Sequence, residues 1–268
     1  VYKRQGLATL PAAVPGLGPD LGGLFSFGMS LDPLALRSFY ETRLDAMEAE
    51  PFECEALAEL QASTVKGRAA LAQPIPPVVY SFRGFLSNVT NIEGMDVATE
   101  TPPSSIDATI LFAVENAEAL VAMAGMISPE IAALNLLPDG KAKLLDLPQL
   151  AEIANQAFAA LSSNGLAVSL GEAADANAEA FLQADVAKEK PFMSMAFDAK
   201  RYYDFVGQAA MEGDDSEDGE KVPLALRAAI LDAMVSSGEM YERMAFNVHF
   251  TERGVELTTR MTLAAEDD

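Results

Sequence analysis

The chain has 268 residues, half of them apolar, and its 40 acidic and 18 basic side chains give a formal net charge of −22. That apolar content is enough to build a large core, which excludes wholesale disorder. A single cysteine and a single histidine exclude an internal disulfide, a cysteine-based zinc site and a centre with several histidine ligands. The negative charge argues against binding to nucleic acid or to an anionic membrane surface.

The chain begins with Val1, and residues 1–5 are similar to the translated adapter remnants found at the ends of metagenomic reading frames. We leave residues 1–5 out of the fold argument and expect natural sequence upstream of them. Residues 6–23 are rich in Gly and Pro, which predicts an irregular lead-in. The longest uncharged stretch, residues 153–171, is interrupted by amide and hydroxyl side chains, so we predict no integral membrane span.

Residues 24–31 alternate between large apolar and small side chains, which predicts a strand. Asp32-Pro33 is typical of a helix N-cap followed by proline at the first helical position. Two helices are predicted next, over residues 33–49 and 53–72. The side chains predicted to be buried on these helices are Leu36, Phe39, Tyr40, Leu44 and Met47 on the first, and Leu57, Leu60 and Val65 on the second.

Residues 78–92 predict a long strand, because they are rich in β-branched and aromatic side chains. A strand at 106–114 and a helix at 116–127 are predicted next, the helix with Leu120, Met123 and Met126 inside. Pro138-Asp139-Gly140 separates two apolar runs and predicts a hairpin turn, whereas residues 148–161 favour neither helix nor strand. The remaining predicted elements of this part are a strand at 166–170 and a helix at 174–184.

The rest of the chain predicts a strand at 192–197, helices at 199–211 and 223–236, and a hairpin of strands 241–250 and 255–263. The order of strand, aspartate, helices and strand therefore occurs twice, first around Asp32 and again around Asp198. One interpretation is an internal duplication, and the other is that such units are common in any α+β protein. We predict a lead-in at 1–23, an α+β unit at 24–187, and a second, partial unit at 188–268 packed on the first.

The sequence contains no Gly-x-Ser-x-Gly elbow and no glycine-rich phosphate loop. His249 lies in a predicted strand, where alternation places it with Asn247 and Thr251 and opposite Val248 and Phe250. This pattern favours a half-exposed strand histidine over a catalytic base. We assign no catalytic residue and no cofactor-binding residue, and we expect no cofactor.

Cys54 stands between two glutamates at a predicted helix start. The carboxylates raise the pKa of a thiol and a helix N-terminus lowers it, so no activated nucleophile is indicated. The two interpretations are a structural cysteine and a disulfide to a cysteine upstream of the chain.

One acidic run contains the only metal candidate in the sequence. Asp214, Ser216 and Asp218, followed by Gly219, imitate the first half of a calcium loop. The position that needs the bidentate glutamate is occupied by Ala225, so we favour a solvated linker over a calcium site.

The twelve methionines are the compositional feature that points toward binding. Thioether side chains adapt to irregular apolar shapes, so a Met-lined surface suits an apolar ligand, whereas core packing is the alternative explanation. Strands closed by an acidic residue and followed by a short helix recur at 105–125, 166–184 and 192–211. In this pattern the chain resembles bacterial cell-envelope and secreted proteins of unknown function. The resemblance implies a periplasmic or secreted location and implies no site residue.

Together these features predict an α+β fold, a mostly antiparallel sheet with amphipathic helices packed on one side. The expected function is a non-enzymatic extracytoplasmic binding or structural module, whose partner is a protein or an apolar ligand and which uses a Met- and Phe-lined groove. The alternative is a carboxylate-dependent hydrolase without a recognisable motif. It predicts a pocket that holds two carboxylates of raised pKa.

Overall fold

A computed structural model describes residues 6–52, 54–94, 103–146, 150, 154–204 and 224–264. Within them lies one sheet of nine strands. The strands are β1 (Phe25–Ser30), β2 (Phe82–Glu93), β3 (Ser105–Val114), β4 (Ala142–Leu144), β5 (Ala157–Ser162), β6 (Gly165–Leu170), β7 (Met193–Asp198), β8 (Tyr241–Thr251) and β9 (Gly254–Leu263). Their order across the sheet is β4-β5-β6-β3-β2-β1-β7-β8-β9, and every neighbouring pair is antiparallel.

The described helices are α1 (Pro33–Ala49), α2 (Ala58–Leu71), α3 (Pro77–Ser81), α4 (Ala117–Ile127), α5 (Pro129–Leu134), α6 (Ala174–Gln183), α7 (residues 199–204) and α8 (Leu224–Met240). The prediction of a mostly antiparallel α+β fold is confirmed. None of the described helices combines the length and the apolarity that crossing a bilayer requires.

Two local predictions are wrong. The strand predicted from residue 78 begins only at Phe82, because Pro77 takes the first position of the short helix α3. The hairpin predicted around Pro138-Asp139-Gly140 does not form either. Its first arm, residues 134–137, forms no strand and contributes only Leu134 to the end of α5, and its second arm, β4, pairs with β5.

Six strands of the sheet have an approximate two-fold arrangement about the boundary between β1 and β7, with the order β3-β2-β1 on one side and β7-β8-β9 on the other. Strands β1 and β7 are antiparallel neighbours. Asp32 lies two residues after β1 and Asp198 is the last residue of β7, and each aspartate caps the helix that follows. Asp32 accepts hydrogen bonds from the N–H groups of Leu34 and Ala35, and Asp198 accepts one from Arg201 N–H. In the chain, helices follow β1 before β2, and the helices α7 and α8 follow β7 before β8. In the sheet, β2 pairs with β1 and β8 pairs with β7. Strands of both predicted units therefore lie in a single sheet, and the internal duplication stays one of two interpretations.

One face of the sheet carries mostly small side chains, and we call it the small-residue face. Alternation puts Ser26, Gly28 and Ser30 of β1 on this face, where all three are buried. The irregular lead-in covers it: Val14 and Leu17 pack into the main core cluster with side chains from β2, β3, β5, β6 and α6. The lead-in is therefore irregular as predicted, and it forms part of the core.

Helices contact both faces of the sheet rather than one. The helix α6 packs on the small-residue face through Ala178. On the opposite face, Ala117 of α4 packs against Val114 and Leu161, and Ala199 of α7 packs with Phe197.

Most apolar stripes predicted on the helices are not buried. On α1 only Leu44 is fully buried, whereas Tyr40 is exposed. The stripe predicted for the second helix, at Leu57, Leu60 and Val65, is exposed throughout. On α4, Leu120 is half-buried, and Met123 and Met126 are exposed. These helices present apolar side chains outward because they do not pack on the sheet along their whole length.

The lead-in is fastened to β8 by an ion pair, which gives a testable prediction. Arg243 donates to both carboxylate oxygens of Asp20, at 2.7 and 2.6 Å. Burial alone would raise the pKa of Asp20, but hydrogen bonds from Arg243 and from Gly22 N–H outweigh it and lower this pKa. We expect Asp20→Asn to reduce the free energy of unfolding by about 1–2 kcal/mol at pH 7.

The pH dependence of this loss has a definite sign. A depressed pKa stabilises the fold above the unfolded-state pKa of about 3.9, and this contribution disappears as the pH falls through the lower folded-state value. Denaturant titrations at pH 7 and at about pH 3 should therefore show the gap between wild type and Asp20→Asn closing in acid. A gap that stays constant with pH would contradict this role of Asp20.

Candidate functional site

The second face of the sheet is a continuous apolar surface, which we call the apolar face. The strand registers align its side chains in rows across β6, β3, β2, β1, β7 and β8. Its central members are Phe27, Met29, Phe85, Phe112, Met193 and Met195. Among the described residues of these six strands, those that point to the apolar face include no charged side chain. Ser87 is polar, and its hydroxyl donates to the Phe27 carbonyl at 3.0 Å.

Described helices cover the apolar face at its two sides. Near β5 it lies under α4, and near β8 it lies under α7, whose Tyr202 ring stacks on Phe25 with the centroids 5.7 Å apart. Between these helices, Phe27, Met29 and Phe85 are half-buried. A large apolar patch that stays accessible to solvent is typical of a binding surface.

An apolar groove adjoins this face where β1 ends and β2 begins. It lies between α1, the end of α2, and α3, and its cavity volume is about 520 Å³. The lining is almost entirely aliphatic and aromatic, and includes Leu31, Leu36, Leu71, Ile75, Val79 and Phe82. Leu31 directly follows β1, and Phe82 is the first residue of β2, where it pairs with Val114 of β3, so the groove lies next to this end of the apolar face.

The walls of the groove are held by polar contacts at its rim. The Asp32 cap fixes the start of α1 beside the end of β1. Arg37 of α1 donates to the Tyr80 hydroxyl of α3 at 2.8 Å and to Glu41 at 3.0 Å. Hydrogen bonds from Arg37 to Glu41 and to Tyr80 raise the pKa of this guanidinium. Among the described residues of the lining, Arg37 is the charged one, and it already has a carboxylate partner.

A separate polar cleft of about 430 Å³ surrounds the single histidine. His249 lies on the small-residue side of β8, opposite Glu256 of β9, and lysines from the loop after α6 complete the wall. The predicted alternation of β8 is confirmed, and His249 is half-buried. Hydrogen bonds from Arg253 and Thr251, and the positive charge of Arg253, lower the pKa of Glu256. This carboxylate is thus held in its ionised form and is a poor proton donor at neutral pH.

The other candidates from the sequence show no built site. Cys54 is an exposed free thiol. Asp214, Ser216 and Asp218 lie outside the described residues, and no cluster of metal-ligating side chains occurs within the described ones. Every described carboxyl group whose pKa clearly shifts has it lowered, namely Asp20, Glu48, Glu130, Glu179 and Glu256. The pair of raised-pKa carboxylates expected for a hydrolase is not supported among these groups.

Sequence reasoning missed the groove because it assigned residues 78–81 to a strand. The signal was present in the run Pro74, Pro76 and Pro77, since proline at a first helical position favours a new helix. Comparisons of the chain with protein-family models, curated proteins and solved structures find no match.

Proposed function

We propose that this protein is a non-enzymatic binding module that holds an uncharged, long-chain apolar ligand in the groove and along the adjoining apolar face. The observation that carries this proposal is that the two surfaces lie next to each other at Leu31 and Phe82. A chain-like ligand that enters the groove can continue over Met29 and Phe85 without meeting a charged side chain.

The size and lining of the groove fit such a ligand. A cavity of about 520 Å³ lies within the range of small-molecule sites, about 300–1,000 Å³. Each methylene group that leaves water for an apolar lining contributes about 0.8 kcal/mol. The methionines and phenylalanines of the face adapt to a flexible chain, because a thioether fills irregular gaps and a ring offers a large contact area.

The electrostatics favour an uncharged ligand. Arg37 is engaged with Glu41 and Tyr80, so a ligand carboxylate would compete with an existing ion pair. The formal charge of −22 repels anions at longer range. A neutral chain such as a long-chain alcohol or ester is therefore preferred over a free fatty acid. We also propose a periplasmic or secreted location, which is supported by the sequence resemblance alone.

The test is binding of a neutral apolar probe. After removal of any bound material with organic solvent and refolding, titration with Nile red should give saturable fluorescence with one probe per chain. Unlabelled 1-hexadecanol should displace the probe more effectively than palmitate does. Native mass spectrometry of gently purified protein should show an added mass in the range of a lipid.

Two results would overturn the proposal. One is Nile red fluorescence that does not saturate, together with a native mass that matches the bare chain. The other is a bound polypeptide that blocks the probe, since the apolar face would then be a protein interface.

A further inference from the structure

The two edges of the sheet differ in how they are protected against further strand pairing. The edge strand β4 has three residues and places the charged Lys143 on the apolar face. A short strand and a lysine on the edge strand are both ways in which proteins protect an exposed edge. The opposite edge strand, β9, has ten residues, and its face positions Val255 and Leu257 are exposed. This edge contains no proline, and the sheet order places no described strand beyond it.

We propose that β9 pairs with β9 of a second copy of this chain, antiparallel and about a two-fold axis at Thr258. In an antiparallel ladder, residues that point their N–H and C=O groups outward alternate with residues that point them toward β8. Two residues that face each other across the new ladder must therefore either both point their N–H and C=O groups toward the other copy or both point them away from it. In a symmetric pair this condition places a residue, and not a peptide bond, on the axis.

Charge complementarity selects Thr258 as that residue. With Thr258 on the axis, Glu256 faces Arg260 of the second copy, and Arg260 faces Glu256 of the second copy. An axis at Leu257 would set Glu256 against Thr258 instead. An axis at Thr259 would set it against Thr262. The register centred on Thr258 is therefore the one of these three that forms two opposite-charge pairs, which stabilise an antiparallel ladder.

The side chains at these positions are available for the pairing. Glu256 accepts hydrogen bonds from Arg253 and Thr251, and a carboxylate has further lone pairs for another donor. Arg260 is exposed on β9. On the apolar face the same register sets Val255 against Met261 and Leu257 against Thr259 of the second copy.

The pairing also joins the two apolar faces. Directly opposed residues project to the same side of a sheet, so the apolar face of one copy continues into that of the other. The result is one sheet that joins the nine described strands of each copy. This inference does not depend on the identity of the ligand, and its test uses no ligand.

The experiment is sedimentation velocity of the full chain over a wide concentration range at physiological salt. Wild type should show a concentration-dependent dimer. Arg260→Glu and Glu256→Arg each convert two attractive pairs into two repulsive ones, so each should weaken the dimer about tenfold or more. The double variant Glu256→Arg/Arg260→Glu restores both pairs and should dimerise like wild type.

A mixture of the two single variants distinguishes pairing between copies from an effect of the substitutions on the fold of one chain. One variant then presents two arginines and the other two glutamates, so a heterodimer should form although neither variant dimerises alone. Leu257→Lys, at a side chain 64% exposed, should also prevent pairing, and it leaves the Glu256–Arg253 ion pair intact. Wild type that stays monomeric, single variants that dimerise like wild type, or a mixture without heterodimer would each overturn the proposal.

Discussion

Replacing Leu17 with alanine is expected to lower the free energy of unfolding by about 3–4 kcal/mol. The side chain is only 1% exposed, although it belongs to a segment without regular secondary structure. It packs with Leu86 and lies above Gly28, where an added Cβ would approach the Leu17 Cδ1 to 2.6 Å. The sheet at this point is lined by a glycine that leaves room for the leucine. Shortening Leu17 would therefore leave a cavity that the backbone of β1 is poorly placed to fill.

Denaturant unfolding at neutral pH measures this loss. The matched control is Leu60→Ala on α2, since Leu60 is 49% exposed and the change keeps a good helix former. It should cost less than about 1 kcal/mol. Equal losses for the two variants would show that the lead-in is not seated in the core.

The lead-in shows how far the sequence predicts this fold. Its Gly and Pro content correctly predicts irregular backbone. Burial of Leu10, Val14 and Leu17 could not be predicted from periodicity, because an irregular segment has no repeating angle that brings apolar side chains to one side. The lead-in covers the small residues of β1: Ser26 and Gly28 are buried, whereas Phe27 on the other face is only half-buried.

The strands other than β5, whose residues favoured neither helix nor strand, and most of the described helices were predicted within a few residues, because alternation, caps and turns are local signals. The position of β7 beside β1 was not, since pairing between distant parts of the chain leaves no local trace. The prediction that the apolar stripes of α1 and α2 are buried was wrong for a different reason. Periodicity identifies which side chains share a helix face, but it does not say whether that face meets a core, a ligand or solvent. Methionine and phenylalanine side chains lie on the apolar face, whereas the described lining of the groove contains Phe82 and no methionine. The Met- and Phe-lined ligand groove therefore stays a prediction.

Replacing Val79 with glutamate is expected to reduce the affinity for Nile red at least tenfold, a loss of about 1.4 kcal/mol or more. Val79 lines the groove from α3 and is 43% exposed, so the protein alone can keep the new carboxylate hydrated. A probe in the groove would remove that hydration, and burying a carboxylate without a partner costs more than the apolar contact returns. Val79→Leu keeps the lining apolar and should retain binding. Both variants should unfold near the wild-type denaturant midpoint.

The control for the added charge is Val65→Glu on α2, which makes the same substitution at a side chain that is 74% exposed and is not part of the groove lining. It raises the net negative charge by the same amount, so any general effect of charge on the probe is common to both variants. A loss confined to Val79→Glu places the probe in the groove. Equal losses would trace the effect to overall charge, and unchanged binding in both variants would place the probe elsewhere on the protein, contradicting the groove as the ligand site.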